Sequence, residues 1–235
     1  NILGIMSGSS LDGLDLGCWK IKISEDFQLV YTHMYSETIT YTHEEIAFLK
    51  SIRDISWYSS SLDDQVGQLI CNKLKDSFFS GKSGSYKELD LVSYHGHTAK
   101  HIEGIESIQL GSPKVLFEHL NIPVAYNFRE NDIKNGGQGA PIAAFYHNYI
   151  LKNFLPSAII LNLGGIANIS IIYREKLIAF DVGTANVLID DLMYHFYKKN
   201  YDKDGKIAFK GKKNQQIIDK YKNDSFFKLQ YPKSL

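Results

Sequence analysis

Two short glycine turns of similar build set the terms for this chain. Gly4-Ile5-Met6-Ser7-Gly8-Ser9-Ser10-Leu11-Asp12-Gly13 lies near the start and Asn162-Leu163-Gly164-Gly165-Ile166-Ala167-Asn168 past the middle, each between apolar runs. Glycine at a strand-to-strand turn permits positive φ and lets backbone N–H groups face outward with no Cβ in the way. The pair reads as two β-hairpins bent around something, and a polyphosphate held between two related lobes is the leading expectation. Gly/Ser/Asn turns also join hairpins that bind nothing. The first turn is sharpened by Ser7, Ser9, Ser10 and Asp12, whose hydroxyls and carboxylate suit phosphate and, through water, Mg²⁺. Neither turn contains the Gly-Lys-Ser/Thr of a P-loop, and the first runs into a strand where a P-loop runs into a helix.

Length allows one large domain or two small ones: of 235 residues, 44% are hydrophobic and 13% aromatic, ample for a packed core. No apolar run approaches the roughly 20 residues of a membrane span, and the first residues read as a strand without a basic n-region or cleavage site. A cytoplasmic location is the expectation. Cys18 and Cys71 lie on apolar segments and read as buried free thiols. Net charge is zero, yet residues 198–233 carry eleven lysines against four acids. With no arginine there and no binding module, this reads as a solvated face, not a nucleic-acid surface. A chain that opens on Asn1 inside a strand pattern and closes on Ser234-Leu235 without a terminator reads as a piece of a longer protein.

Residues 2–7, 14–23 and 27–40 read as three successive antiparallel strands, with Leu16, Cys18, Ile21 and Ile23 as the apolar face of the second. Thr42-His43-Glu44-Glu45 opens a helix, and Leu62, Val66, Leu69, Ile70 and Leu74 have the spacing of an amphipathic second helix ending near Gly81. A short buried strand over 89–94, a brief helix over 113–120 and a strand over 124–126 follow. From Pro141 the pattern restarts with a helix to Leu155, strands over 158–163, 169–173 and 177–180, and a helix from about Val187. The second half thus repeats strand, glycine turn, strand, strand, helix, and a duplication of this kind sets the two turns facing one another across a cleft.

Three segments carry candidate chemistry. His95-Gly96-His97-Thr98-Ala99-Lys100-His101 stands at a strand end; His95 and His97 on one face, plus Asp90 or Asp132, would suit Zn²⁺ in a hydrolase, against which the glycine between them reads as the end of the strand and no second cluster has ligand spacing. Polar contacts to a substrate, or histidines satisfied by backbone, are the competing readings. Asn127-Phe128-Arg129-Glu130-Asn131-Asp132 and Asn135-Gly136-Gly137-Gln138-Gly139-Ala140-Pro141 form a polar connection between lobes, where Arg129 offers a fork of donors to a carboxylate or sugar hydroxyls. Phe180-Asp181-Val182-Gly183-Thr184-Ala185-Asn186 puts a carboxylate directly after an apolar strand, as a general base or an ordinary helix N-cap.

The order and wording of these motifs resemble the anhydro-N-acetylmuramic acid kinases. The matching stretches are residues 4–13, His95-Gly96-His97-Thr98 through His101, Phe128-Arg129 to Asp132, residues 136–141, residues 162–168 and Phe180-Asp181. The resemblance implies an α/β fold of ribonuclease H-like duplicated lobes, the actin-like ATPase fold, with residues 1–127 as first lobe, residues 128–235 as connection and N-terminal part of the second, and the second lobe incomplete. It implies ATP with Mg²⁺, held by Gly8, Ser9, Ser10, Leu11, Asp12, Gly13, Leu14 and Asp15 on one side and Gly164, Gly165, Asn168 and Gly183 on the other. Asp181 matches the catalytic base, and His95, His97, Thr98, Arg129, Gln138 and Asn186 would hold the sugar. The implied partners are ATP and a small-molecule sugar, with no nucleic acid or membrane, and a homodimer is left open. Three departures stand out: His97 replaces the usual glutamine, Ser9-Ser10 the usual Thr-Ser, and Asp181-Val182-Gly183-Thr184-Ala185-Asn186 the usual Asp-Thr-Gly-Pro-Gly-Asn. A zinc-dependent hydrolase using His95, His97 and His101, and a non-catalytic nucleotide-binding relative, are the alternative expectations.

Overall fold

The computed structural model of the protein describes residues 1–8, 10–26, 28–53, 55–76, 88–151 and 154–234. It divides into two compact units, Asn1–Gly137 and Gln138–Leu235. The expected boundary after residue 127 therefore moves ten residues on. The reason is a helix where the sequence reads as a polar connection: α4 (Phe128–Lys134) packs with the first unit, and the Gly137 amide donates to the Asp132 carbonyl at 2.8 Å.

In the first unit, β1 (Ile2–Ser7), β2 (Gly13–Ile23) and β3 (Leu29–Thr40) form the expected antiparallel meander. Helices α1 (His43–Ser51) and α2 (Ser60–Asp76) follow, then β4 (Leu91–Ile102), β5 (Glu106–Leu110), α3 (Pro113–Leu120) and the short β6 (Val124–Ala125). The sheet runs β3-β2-β1-β4-β5, with β6 also on β4 and β1 parallel to β4. Local chemistry explains the helix starts. Thr42 accepts from the Glu45 amide while the Glu45 carboxylate accepts from the Thr42 amide, a reciprocal capping box. Ser112 caps α3 ahead of Pro113, whose missing N–H costs nothing in a first turn.

The core lies between one sheet face and the helices, where Leu3, Ile5, Leu14 and Leu16 cluster with Leu49, Val66, Ile70, Leu74 and Leu116. Each such side chain removed from water contributes about 1.5–3 kcal/mol. Cys18 and Cys71 are both buried and free, and burial pushes the Cys71 thiol up to about 11. Ile21 and Ile23 do not join this face; they are 37% and 68% exposed. Leu16 and Cys18 are even-numbered and Ile21 and Ile23 odd, so the period of two turns them to the opposite side. The strand expected to end at Tyr94 instead continues to Ile102 and pairs with β5, which the sequence reading left out. The expected end of the second helix near Gly81 lies outside the described residues.

In the second unit, α5 (Ala143–Leu151) precedes β7 (Ser157–Leu163), β8 (Ile166–Tyr173) and β9 (Lys176–Thr184), an antiparallel sheet in that order. Next come α6 (Asn186–Tyr197), single 3-10 turns, α7 (Gln215–Lys222) and a 3-10 turn over Ser225–Lys228. Helix α5 is shorter than the expected 141–155. It meets the sheet through His147, whose Nδ1 lies 3.0 Å from Ser170 Oγ. Both units therefore open their sheets with a glycine hairpin, a third antiparallel strand and a helix. Among the described residues no helix is long and apolar enough to cross a membrane.

Candidate functional site

The residues singled out by sequence fall into two groups, one in each unit. In the first, the β1–β2 turn closes with a hydrogen bond from the Leu11 amide to the Gly8 carbonyl at 3.2 Å. Its exposed rim is polar: Ser10 Oγ donates to Asp12 Oδ1 at 2.6 Å, the Gly13 amide reaches the same oxygen at 3.1 Å, and Thr38 donates to Asp15 at 2.6 Å. Leu11 and Leu14 send their side chains into the core, at 3% and 0% exposed, so only their backbone groups can meet a ligand. Ser9 lies outside the described residues. Ser7, expected at a phosphate, is buried instead. Its Oγ accepts from Tyr41 at 2.9 Å and lies 2.9 Å from Nδ1 of His97.

His95 and His97 do not share a face. In the pairing of β1 with β4, Ile5 stands opposite Tyr94 and Ser7 opposite His97, so β4 carries one extra residue over that step. This is a β-bulge, made at Gly96 with φ +80, a conformation that suits glycine. The bulge reverses the alternation: His97 joins Val92 and Tyr94 on the buried face, while His95 stays half-buried on the other. His97 is fully buried, and its Nε2 has no hydrogen-bond partner among the described residues. Burial first, then the Arg53 charge, holds it down to about 4. His97 therefore braces the end of β1 and is not a surface contact. The shared face required for a zinc pair is lost with it, and among the described residues no three His, Cys, Asp or Glu side chains gather to hold a metal ion.

Arg129, at the start of α4, donates to Nε2 of His95 from Nε at 3.2 Å and from a terminal nitrogen at 3.0 Å. Nδ1 of His95 faces the Gly96 carbonyl at 3.0 Å. Burial, then the guanidinium charge, holds His95 down to about 4. Two hollows meet at this ring. One, of about 650 Å³, opens where β5 and β6 diverge along β4 and includes Tyr58, Tyr94, Lys114 and Tyr126; a shallower one of about 350 Å³ includes Met6, Asp15, Ser93 and Phe128. Concave polar and aromatic surface of this kind suits a small molecule. Thr98 is half-buried and donates to the Gln109 side-chain oxygen at 2.8 Å.

In the second unit the strand register gathers the remaining candidates. Asn162 stands opposite Asn168, and Asn168 opposite Asp181, so the three share one face beside the Gly164-Gly165 turn. Asp181 lies inside β9 and not after it, 9% exposed, and the position before α6 belongs to Ala185, which disposes of the helix-cap reading. Carbonyls of the glycine turn take the first amides of α6: Ala185 and Val187 donate to Gly165, and Asn186 to Gly164. The Asn186 side chain donates to the Leu163 carbonyl at 3.0 Å and so fastens the turn. Gly183 is buried in β9 at φ +154, and Thr184 pairs with the Tyr221 hydroxyl. Gln138 is the first residue of this unit and is half-buried. One contact to the candidate base was not legible: Ser234 donates to Asp181 Oδ2 at 3.1 Å. Nothing in the lysine-rich terminal stretch marks that serine.

Comparison with known proteins accounts for the whole chain. The model of the family described as anhydro-N-acetylmuramic acid kinase matches residues 1–235. Curated relatives of that description are 32% identical in Shewanella sp. (strain ANA-3), Pelagibacter ubique and Hahella chejuensis, over 99%, 95% and 98% of this chain. The chain spans 63–64% of the length of those relatives. By these matches, the chain belongs to the anhydro-N-acetylmuramic acid kinase family.

Proposed function

We propose that this chain carries catalytic and substrate-binding parts of an ATP-dependent kinase that hydrolytically opens 1,6-anhydro-N-acetylmuramic acid and phosphorylates O6, giving N-acetylmuramic acid 6-phosphate for cell-wall recycling. Asp181 carries the reading: a carboxylate inside an edge strand, in one cross-strand row with Asn168 and next to the Gly164-Gly165 turn, is a base fixed beside a phosphate-type loop. The shared order of hairpin, strand and helix supports ribonuclease H-like lobes of the actin-like class.

In this mechanism Asp181 accepts a proton from the water that adds to C1. The C1–O6 bond breaks, O6 attacks the γ-phosphorus, and the bond to ADP breaks. Arg129, oriented by neutral His95, and Thr98 contact the sugar, with Gln138. His97 and Asn186 act from behind, through Ser7 and Leu163 respectively. Backbone groups of Gly8 and residues 10–15 in the first unit, and of Gly164, Gly165, Asn168 and Gly183 in the second, are the candidates for the phosphates. The exposed carboxylates of Asp12 and Asp15 are hard oxygen donors of the kind that suits hydrated Mg²⁺. Bound Mg²⁺ neutralises charge on the phosphates. The site is read as cytoplasmic.

Incubation of the full-length protein with ATP, Mg²⁺ and the anhydrosugar is the test. A 6-phosphorylated reducing sugar is expected. Nucleotide binding without that product would overturn the reading in favour of a non-catalytic relative.

A further inference from the structure

Among the described residues β9 is an edge strand, so outward backbone groups along it need partners from outside the sheet. At Asp181 the partners are Lys233 and Ser234. The Asp181 amide donates to the Lys233 carbonyl at 2.8 Å, and the Ser234 hydroxyl donates to Asp181 Oδ2 at 3.1 Å. Two consecutive residues thus hold one aspartate by its backbone and by its carboxylate.

The segment that does this is itself fastened. Lys233 Nζ donates to the Phe226 carbonyl at 2.9 Å and sits 4.2 Å from the centre of the Phe226 ring. Tyr231 stacks on Phe180, the residue before the aspartate, with ring centres 5.1 Å apart and planes 12° from parallel. Phe227 faces Gly183, two residues beyond it, closely enough that a Cβ there would touch its ring. Residues on both sides of Asp181 are therefore packed against the same terminal segment.

We propose that Ser234 is a positioning residue for Asp181, its hydroxyl holding the carboxylate in one rotamer while the Lys233 carbonyl fixes the backbone beneath it. The inference rests on the reading of Asp181 as base. A base works only within hydrogen-bond reach of the proton it removes, and a displacement of about 1 Å costs on the order of a hundredfold in rate. Serine is short, so its hold depends on the anchored strap. Alanine at this position deletes the donor and leaves the bond from the Asp181 amide to the Lys233 carbonyl in place.

The test measures steady-state turnover of the full-length protein with ATP, Mg²⁺ and the anhydrosugar, for Ser234→Ala, Ser234→Thr and Asp181→Asn. Ser234→Ala is expected to lower kcat about tenfold with KM for ATP and melting temperature unchanged, and Ser234→Thr to restore it. Full kcat in Ser234→Ala beside an inactive Asp181→Asn would overturn the positioning role and leave the base standing. A loss that threonine does not restore, or one that comes with a lower melting temperature, would overturn it as well. Turnover surviving in Asp181→Asn would remove the base and this inference together.

Discussion

Nε2 of His95 receives two nitrogens of Arg129 at 3.2 and 3.0 Å. A guanidinium has only donors, so Nε2 presents its lone pair and Nδ1 carries the proton toward the Gly96 carbonyl. A neutral imidazole therefore orients the cation. Lysine offers one compact charge in place of this fork. Arg129→Lys is expected to raise KM for the anhydrosugar about tenfold or more, an effect of about 1.4 kcal/mol, with ATP affinity unchanged. Isothermal titration of each ligand separates the two, and equal weakening of both would contradict the assignment.

The two buried histidines predict acid sensitivity. His95 and His97 are each held down to about 4 from an ordinary 6.5, chiefly by burial. Between those values the unfolded chain binds protons that the folded chain refuses, so falling pH favours unfolding. The stability from keeping the rings neutral is complete above pH 6.5 and is lost progressively toward pH 4, with a slope of up to about 1.4 kcal/mol per pH unit for each ring. Denaturant titrations across this window should show the slope, and His97→Gln, the family's usual residue here, should reduce it by about half. An unaltered slope in that variant would exclude His97 as a source.

Asp181→Asn keeps the shape of the side chain and removes the base. Turnover is expected to fall by at least about 10². Nucleotide affinity should stay nearly intact, because the glycine turn is held by α6 amides and the Asn186 side chain, not by the aspartate. Fluorescent nucleotide titration beside the product assay distinguishes lost chemistry from lost binding.

Gly111→Ala tests the packing behind β4. Gly111 has φ +115, and a Cβ there would run into the buried Tyr94 hydroxyl. Its amide also donates to Asp63 Oδ1 at 2.8 Å. Backbone strain and overpacking add, so a loss of about 2 kcal/mol or more is expected in equilibrium unfolding. The parent melting temperature in this variant would show that the Tyr94 ring moves aside freely.

Periodicity, turn residues and caps made the element order legible. Thr42 with Glu45, Ser112 with Pro113, and the two glycine turns mark the ends of their elements by chemistry that spans only a few residues. Motif wording brought out Asp181 and Arg129 in the same way. Helix α4 escaped because seven residues with four charges carry no apolar stripe, and the full length of β4 escaped because Gly96 reads as a terminator in isolation.

What the sequence by itself determined is therefore the local grammar: the hairpins, the order of strands and helices, the buried thiols and the residue types at the candidate site. Tertiary structure alone decided which face each histidine takes and what holds the aspartate. The extra residue at Gly96 exists only relative to the register with β1, and the contact of Ser234 with Asp181 only because a segment 53 residues on docks along an edge strand. Such pairings are set by which surfaces must be buried together, and that information is spread over the whole chain instead of lying beside the residues it positions.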